Sequence, residues 1–299
     1  MPKPANRLGD VYAAPITPRD ADGRLDAAVL AHMLEFLMER GVRAFAINGA
    51  TGEYCLNSQA ELGRLLETVA RTLAGKARFL CGIGAAGFHG VVENGRLAMA
   101  AGADAVLLPM PHFFPYEQDD LRAFCLEVAA RLSTDILLYN LPQFTSGLAN
   151  DTVFELIRTC PSIRGIKDSS GSLDLLRELT ISLPEAVRLV GSDDALPQAL
   201  REGICDGVVS GVAGAVPELI LPLFEAGGAS NAPAIERLRE FIRELDRFPV
   251  PWGLKWIAES RGMAPAHFSL PLSGKRALEG ARLQQWFRAW EKNAAGQPR

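Results

Sequence analysis

Eight times in succession a short, continuously apolar run is followed by an amphipathic stretch of helical period, and few folds accept that pattern. The apolar runs are Val11–Thr17, Val42–Asn48, Arg78–Gly84, Ala105–Met110, Asp135–Asn140, Ile163–Lys167, Val187–Gly191 and Gly207–Ser210. The helical stretches behind them are Leu25–Arg40, Ser58–Ala74, Val91–Ala101, Glu117–Leu132, Asp151–Thr159, Leu173–Leu183, Ala195–Glu202 and Val216–Ala226. A strand that is apolar throughout, rather than at every second residue, has both faces covered. Strands and helices in strict alternation with short connections imply parallel strands joined by crossover helices. Eight such units predict a closed (β/α)8 TIM barrel, with a doubly wound open sheet as the alternative. Boundary signals agree: Ser58 stands three residues ahead of Glu61, as a capping box requires, and Gly41 follows Arg40. Past the eighth unit, Ala234–Arg247, Trp252–Arg261 and Lys275–Lys292 read as helices too short to build a second catalytic domain. The chain divides into a catalytic barrel over residues 9–229 and a C-terminal helical extension over 230–299, packed on it.

Bulk properties exclude several function classes. Of 299 residues 48% are hydrophobic, enough for a large core, and the net charge of −4 gives no basic footprint for nucleic acid. Five cysteines, an odd number without a CxxC pair, read as reduced and mostly buried thiols of a cytosolic protein. The stretch from Met1 to Arg7 has no apolar secretion signal, and no apolar run approaches the ~18 residues of a membrane span. The expectation is a cytoplasmic protein with neither a membrane nor a nucleic acid as partner.

Barrel enzymes place their chemistry at the carboxyl ends of the strands, so those ends are where function is read. The sixth apolar run ends at Lys167, in a chain with only six lysines against many arginines. A desolvated lysine amine can attack a ketone and form a Schiff base, which a guanidinium cannot do. The competing reading is a strand-end lysine that snorkels to solvent. The fifth run ends in Tyr139-Asn140-Leu141-Pro142, and Tyr139 is one of four tyrosines. Its phenol can serve as general acid and base beside the amine, or it is a core aromatic with a satisfied hydroxyl. The second run ends in Gly49-Ala50-Thr51-Gly52-Glu53. Exposed amides and a hydroxyl ahead of a helix suit a carboxylate, although an ordinary glycine turn would read the same way.

Other motifs carry less. Gly82-Ile83-Gly84-Ala85-Ala86-Gly87 has dinucleotide-loop spacing, but lies in the third unit and lacks an acidic residue at the end of the next strand. The histidines His32, His89, His112 and His267 are scattered and give no metal-binding spacing. His32 reads as structural, and His112, at a strand end, as a possible substrate contact.

Taken together, Gly49-Ala50-Thr51-Gly52-Glu53, Tyr139-Asn140-Leu141-Pro142 and Gly165-Ile166-Lys167-Asp168 resemble the dihydrodipicolinate synthase / N-acetylneuraminate lyase family of class I aldolases. Gly203–Gly211, Pro251-Trp252-Gly253-Leu254-Lys255 and Leu270–Ser273 extend the resemblance to nearly the whole chain, from about Gly9 to Ala289. The resemblance implies Lys167 as the Schiff-base lysine and Tyr139 as the acid/base. It implies that the amides of Ala50 and Thr51, with the Thr51 hydroxyl, hold a pyruvyl carboxylate, and that the Val209 carbonyl lies near the imine. It further implies a homotetramer and no metal or organic cofactor.

Three positions depart from the family pattern. Ala50 stands where the family has a threonine or serine hydroxyl that relays protons to the tyrosine. Phe113 stands where a neighbouring subunit usually lends a tyrosine to the same relay, and Phe144 stands near the arginine that binds the second substrate's carboxylate in dihydrodipicolinate synthases. The resulting expectation is a pyruvate-type class I lyase for a sugar-acid-like 2-keto acid. The alternatives are 4-hydroxy-tetrahydrodipicolinate synthase, a keto-sugar-acid dehydratase sharing the imine, and a non-catalytic keto-acid-binding protein.

Overall fold

The computed structural model describes residues 7–227 and 231–295. The expected domain boundary at 229/230, the last residues of the extension and the stretch from Met1 to Asn6 lie outside the described residues. Eight parallel strands close into a barrel in sequence order: β1 (Val11–Ala13), β2 (Ala44–Ile47), β3 (Arg78–Gly82), β4 (Ala105–Pro109), β5 (Ile136–Asn140), β6 (Ile163–Asp168), β7 (Val187–Val190) and β8 (Gly207–Ser210). The crossovers are α1 (Ala27–Glu39), α2 (Gln59–Leu73), α3 (Phe88–Ala100), α4 (Gln118–Arg131), α5 (Asn150–Thr159), α6 (Asp174–Ser182) and α7 (Leu196–Glu202). The closed sheet excludes the open doubly wound alternative.

Local chemistry explains the boundaries. Ser58 caps α2 with the reciprocal Glu61 box, and Gly41, at φ +91°, turns the chain out of α1. β1 stops at Ala13 rather than Thr17, because Pro15 and Pro18 follow and cannot donate to a ladder. The eighth helical stretch differs more. It splits into a single 3₁₀ turn, Pro217–Leu219, and a short α8 (Leu221–Glu225), each with proline in its first turn. The extension supplies α9 (Ala232–Leu245), α10 (Trp252–Ser260) and α11 (Gly274–Ala295).

The two faces of each strand meet different cores. Phe45, Ile47, Cys81, Ile136 and Leu138 pack outward against the helices, whereas Ala44, Ala46, Leu80, Leu137, Tyr139 and Leu189 fill the barrel interior. Tyr139 is thus in phase with the inward-facing set. Its partner across the ladder is set by an irregularity: Ile136 pairs with Ile163, but Leu137 pairs with Gly165, so β6 carries one extra residue, Arg164. Unshifted counting would set Ile166 beside Tyr139. The extra residue brings Lys167 there instead.

Candidate active site

Lys167 and Tyr139 face each other at the carboxyl end of the barrel. The lysine is 5% exposed and its Nζ lies 3.7 Å from the centroid of the Tyr139 ring. It does not snorkel. Burial draws the ammonium pKa down to about 7, and the carboxylate of Asp193 beside it limits the fall. The phenol of Tyr139 is pushed above its ordinary value, mainly by burial, against hydrogen bonds from the backbone N–H of Ala50 and the side chain of Ser169. Lys167, Tyr139, Ala50, Thr51 and Val209 all line one cavity of about 390 Å³. The five residues that the resemblance assigns to the site therefore line one space, and His112, the other candidate contact, does not.

The loop after β2 is built as a fixed cradle. Thr17 donates to the Gly52 carbonyl at 2.7 Å, and the Glu53 N–H closes a turn on the Ala50 carbonyl at 2.9 Å. Asn48 donates to the Gly82 carbonyl at 2.6 Å and accepts from Asn57 at 2.8 Å. Glu53 itself, at φ +53°, forms a buried ion pair with Lys255 of α10, 2.7 Å apart and off line for a hydrogen bond. The pair ties the cradle to the extension. Ala50 and Thr51 both stand at the cavity wall.

Two site residues carried no distinctive sequence signal. Asp193 lies in the loop after β7, where its Oδ2 accepts from the Val212 N–H at 3.1 Å and the Ser210 hydroxyl stands close by. Burial lifts its pKa to about 6, against those hydrogen bonds and Lys167. Ser169, two residues beyond Lys167, lines the same cavity with its Oγ against Gly191. An acidic residue at the end of the seventh strand was visible in the sequence; its approach to Lys167 was not.

The remaining candidates fall elsewhere. His112 packs edge-on against Tyr54, with centroids 6.4 Å apart, and does not line the cavity. His32 bonds the Gly262 carbonyl at 3.1 Å, a structural contact. Gly82 and Gly84 of the Gly82–Gly87 segment serve packing: a Cβ on Gly82 would stand 2.1 Å from the Asn48 carbonyl oxygen, and one on Gly84 2.3 Å from the Tyr54 ring. The five cysteines are free thiols. Phe144 lines the cavity at its mouth, and Phe113, at φ +82°, is 88% exposed. Among the described residues no acidic, histidine or cysteine cluster could hold a metal, and no helix is long and apolar enough to cross a membrane.

Fold and site define a (β/α)8-barrel protein with a buried, readily neutralised amine at the end of its sixth strand and a tyrosine against it. The chain belongs to the dihydrodipicolinate synthetase family, whose model matches residues 7–286. It is 32% identical over 265 residues to the 4-hydroxy-tetrahydrodipicolinate synthase of Thioalkalivibrio sulfidiphilus, covering 86% of this chain and 89% of that one. Dihydrodipicolinate synthase from Aquifex aeolicus superposes with a TM-score of 0.87 at 25% identity, over 95% of this chain and 98% of the other. A prophage protein of the dihydrodipicolinic acid synthase family from E. coli, solved in complex with pyruvate, gives the same TM-score of 0.87 at 23% identity, over 95% and 99%, and shows the likeness of fold.

Proposed function

We propose that the protein is a pyruvate-type class I lyase that cleaves or forms a hydroxylated 2-keto acid through a Schiff base on Lys167. The observation that carries the reading is the burial of the Lys167 amine against Tyr139 inside the cavity, which makes the neutral, nucleophilic form available near neutral pH. Tyr139 would protonate the carbinolamine oxygen and later the oxygen of the departing or arriving carbonyl. Thr51, with its hydroxyl and amide, and Ala50 would seat the keto-acid carboxylate, and the Val209 carbonyl would lie near the imine. The pyruvate complex of the E. coli relative supports a pyruvyl substrate.

The distal half of the cavity favours neutral, hydroxylated partners. Among the described residues its lining holds no lysine, arginine or histidine apart from Lys167, but it includes the carboxylates of Asp193, Asp194 and Asp246. Arg239 pairs with Asp194 from outside the lining, 3.7 Å away. Carboxylates accept hydrogen bonds from hydroxyls and repel a second anion. Gln143, Ser169 and Ser192 add neutral hydrogen-bonding groups. A sugar-acid-like keto acid fits this lining better than a partner bearing its own carboxylate.

Two expected results follow from this lining and this amine. The protein should be a poor dihydrodipicolinate synthase: with Phe144 at the mouth and no guanidinium, the second carboxylate stays unpaired, a loss of about 3 kcal/mol, or ~10²-fold or more in rate. The check is kcat/KM for condensation with aspartate semialdehyde against cleavage of a panel of 2-keto-3-deoxy sugar acids. Condensation at ~10⁴ M⁻¹s⁻¹ or above without cleavage of the panel would hand the assignment to the synthase. Detecting dehydration products rather than pyruvate would hand it to the dehydratase. The rate of imine formation should also depend on pH with a definite sign. Only the neutral amine attacks, so the rate rises as pH climbs through about 7 and levels above it. Single-turnover trapping across pH 5–9 reads this; a midpoint near the ordinary lysine value would place the attacking amine elsewhere.

The same reading extends to assembly and compartment. We take the protein to be a cytoplasmic homotetramer: the free thiols suit a reducing compartment, and Phe113 and Phe114, exposed together after β4 with rings 4.9 Å apart, suit a contact between subunits.

A further inference from the structure

The Tyr139 hydroxyl is buried, and the two relay hydroxyls that the family pattern would place beside it are replaced here by Ala50 and Phe113. It is not left alone. The Ala50 N–H and the Ser169 side chain approach it as hydrogen-bond donors, and Ser169 shares the cavity wall with Tyr139 and Lys167. An amide N–H donates but does not release its proton in this pH range, so it can orient a phenol without passing protons to it. A serine hydroxyl both donates and accepts.

Ser169 is held for that task by its backbone. Its N–H donates to the Asn140 carbonyl at 2.8 Å, and its own carbonyl accepts from Gln143 Nε2 at 2.8 Å, so both contacts tie it to the segment that carries Tyr139. Its Oγ packs directly against Gly191: a Cβ on that glycine would stand 2.0 Å from the oxygen and 3.0 Å from Lys167 Cε. The space beside the lysine is thus kept open for the serine hydroxyl by the missing side chain at Gly191.

We propose that Ser169 is the positioning and relay partner of Tyr139, taking over from the hydroxyls absent at Ala50 and Phe113. The inference rests on the Schiff-base reading of Lys167. When the neutral amine adds to the ketone, the new C–N bond leaves a proton in excess on nitrogen and a negative charge on oxygen. Tyr139 gives its proton to that oxygen. Ser169 gives its own to the phenolate and regains one from the nitrogen through cavity water, so no proton is gained or lost. Expulsion of the oxygen as water then breaks the C–O bond and draws one proton from solvent along the same chain, leaving the iminium positively charged.

The test uses the full-length protein and three variants: Ser169→Ala, Ser169→Thr, and Ser169→Ala combined with Ala50→Thr, which returns a hydroxyl to the family's place. Ser169→Ala should lower kcat by roughly 10²-fold with KM for the keto acid changed only a few-fold, and should shift the pH limb that reports the acid/base. Ser169→Thr should keep most of the activity, and the double variant should recover at least roughly tenfold over Ser169→Ala. Borohydride trapping of pyruvate on Lys167 should still go to completion in all three, only more slowly without the hydroxyl. An unchanged kcat and pH profile in Ser169→Ala overturns the proposal. So does a loss that neither threonine relieves, because that marks a packing role. Failure of the wild type to trap pyruvate is a different outcome, and overturns the Schiff-base reading beneath it.

Discussion

Replacing Lys167 with alanine should reduce turnover by roughly 10⁵-fold or more, the scale on which losing a covalent nucleophile acts. The barrel should remain folded. Lys167 is 5% exposed, and burial works against its charged form, so the native state gains little stability from the amine. Lys167→Met, which keeps the bulk and removes the amine, should melt no lower than the wild type, as expected where a site residue is held at a cost to stability. Circular dichroism and thermal melts check the fold while a coupled assay for released pyruvate checks turnover. Retained turnover in either variant, or covalent labelling at Lys255 or Lys76, would sink the assignment. Lys255 is the more serious competitor, because it too is buried, but Glu53 neutralises it 2.7 Å away and it does not line the cavity.

Tyr139→Phe should keep the binding of pyruvate but slow turnover by roughly 10²–10⁴, the usual contribution of a positioned acid/base. The substitution removes one oxygen and leaves the ring over which the Lys167 amine sits, so the amine's surroundings change little. What disappears is the group that delivers a proton to the carbinolamine oxygen. Pre-steady-state trapping separates the two effects: the yield of adduct should survive while its rate falls. Near-wild-type turnover would mean that another group carries the proton, and Asp193, lifted to about 6 and adjacent to Lys167, is the first to examine.

Much of this was legible in the sequence, and the illegible parts have definite causes. The barrel is written in eight alternations of period, and Ser58 and Gly41 mark helix ends correctly because capping is a local interaction. The eighth helical stretch is split although its hydrophobic period is continuous, because the period persists through Pro217 and Pro222 while the helical backbone hydrogen bonds do not. Lys167 and Tyr139 stood out as rare residues at strand ends. Their juxtaposition depends on the one-residue shift at Arg164, which no local pattern announces. Ser169 and Asp193 are common loop residues, made part of the site only by the close approach at Gly191 and by strand neighbours distant in sequence. His112 stands at a strand end, but its ring turns to Tyr54, and position along a strand does not fix that direction.

The most direct measurement is reductive trapping of the wild-type protein: incubation with pyruvate and borohydride, intact mass, then peptide mapping. The expected result is one adduct per chain, heavier by pyruvate less one water plus two hydrogens, located on Lys167 and absent from Lys167→Ala. No adduct, or an adduct on any other lysine, contradicts a Schiff base at Lys167.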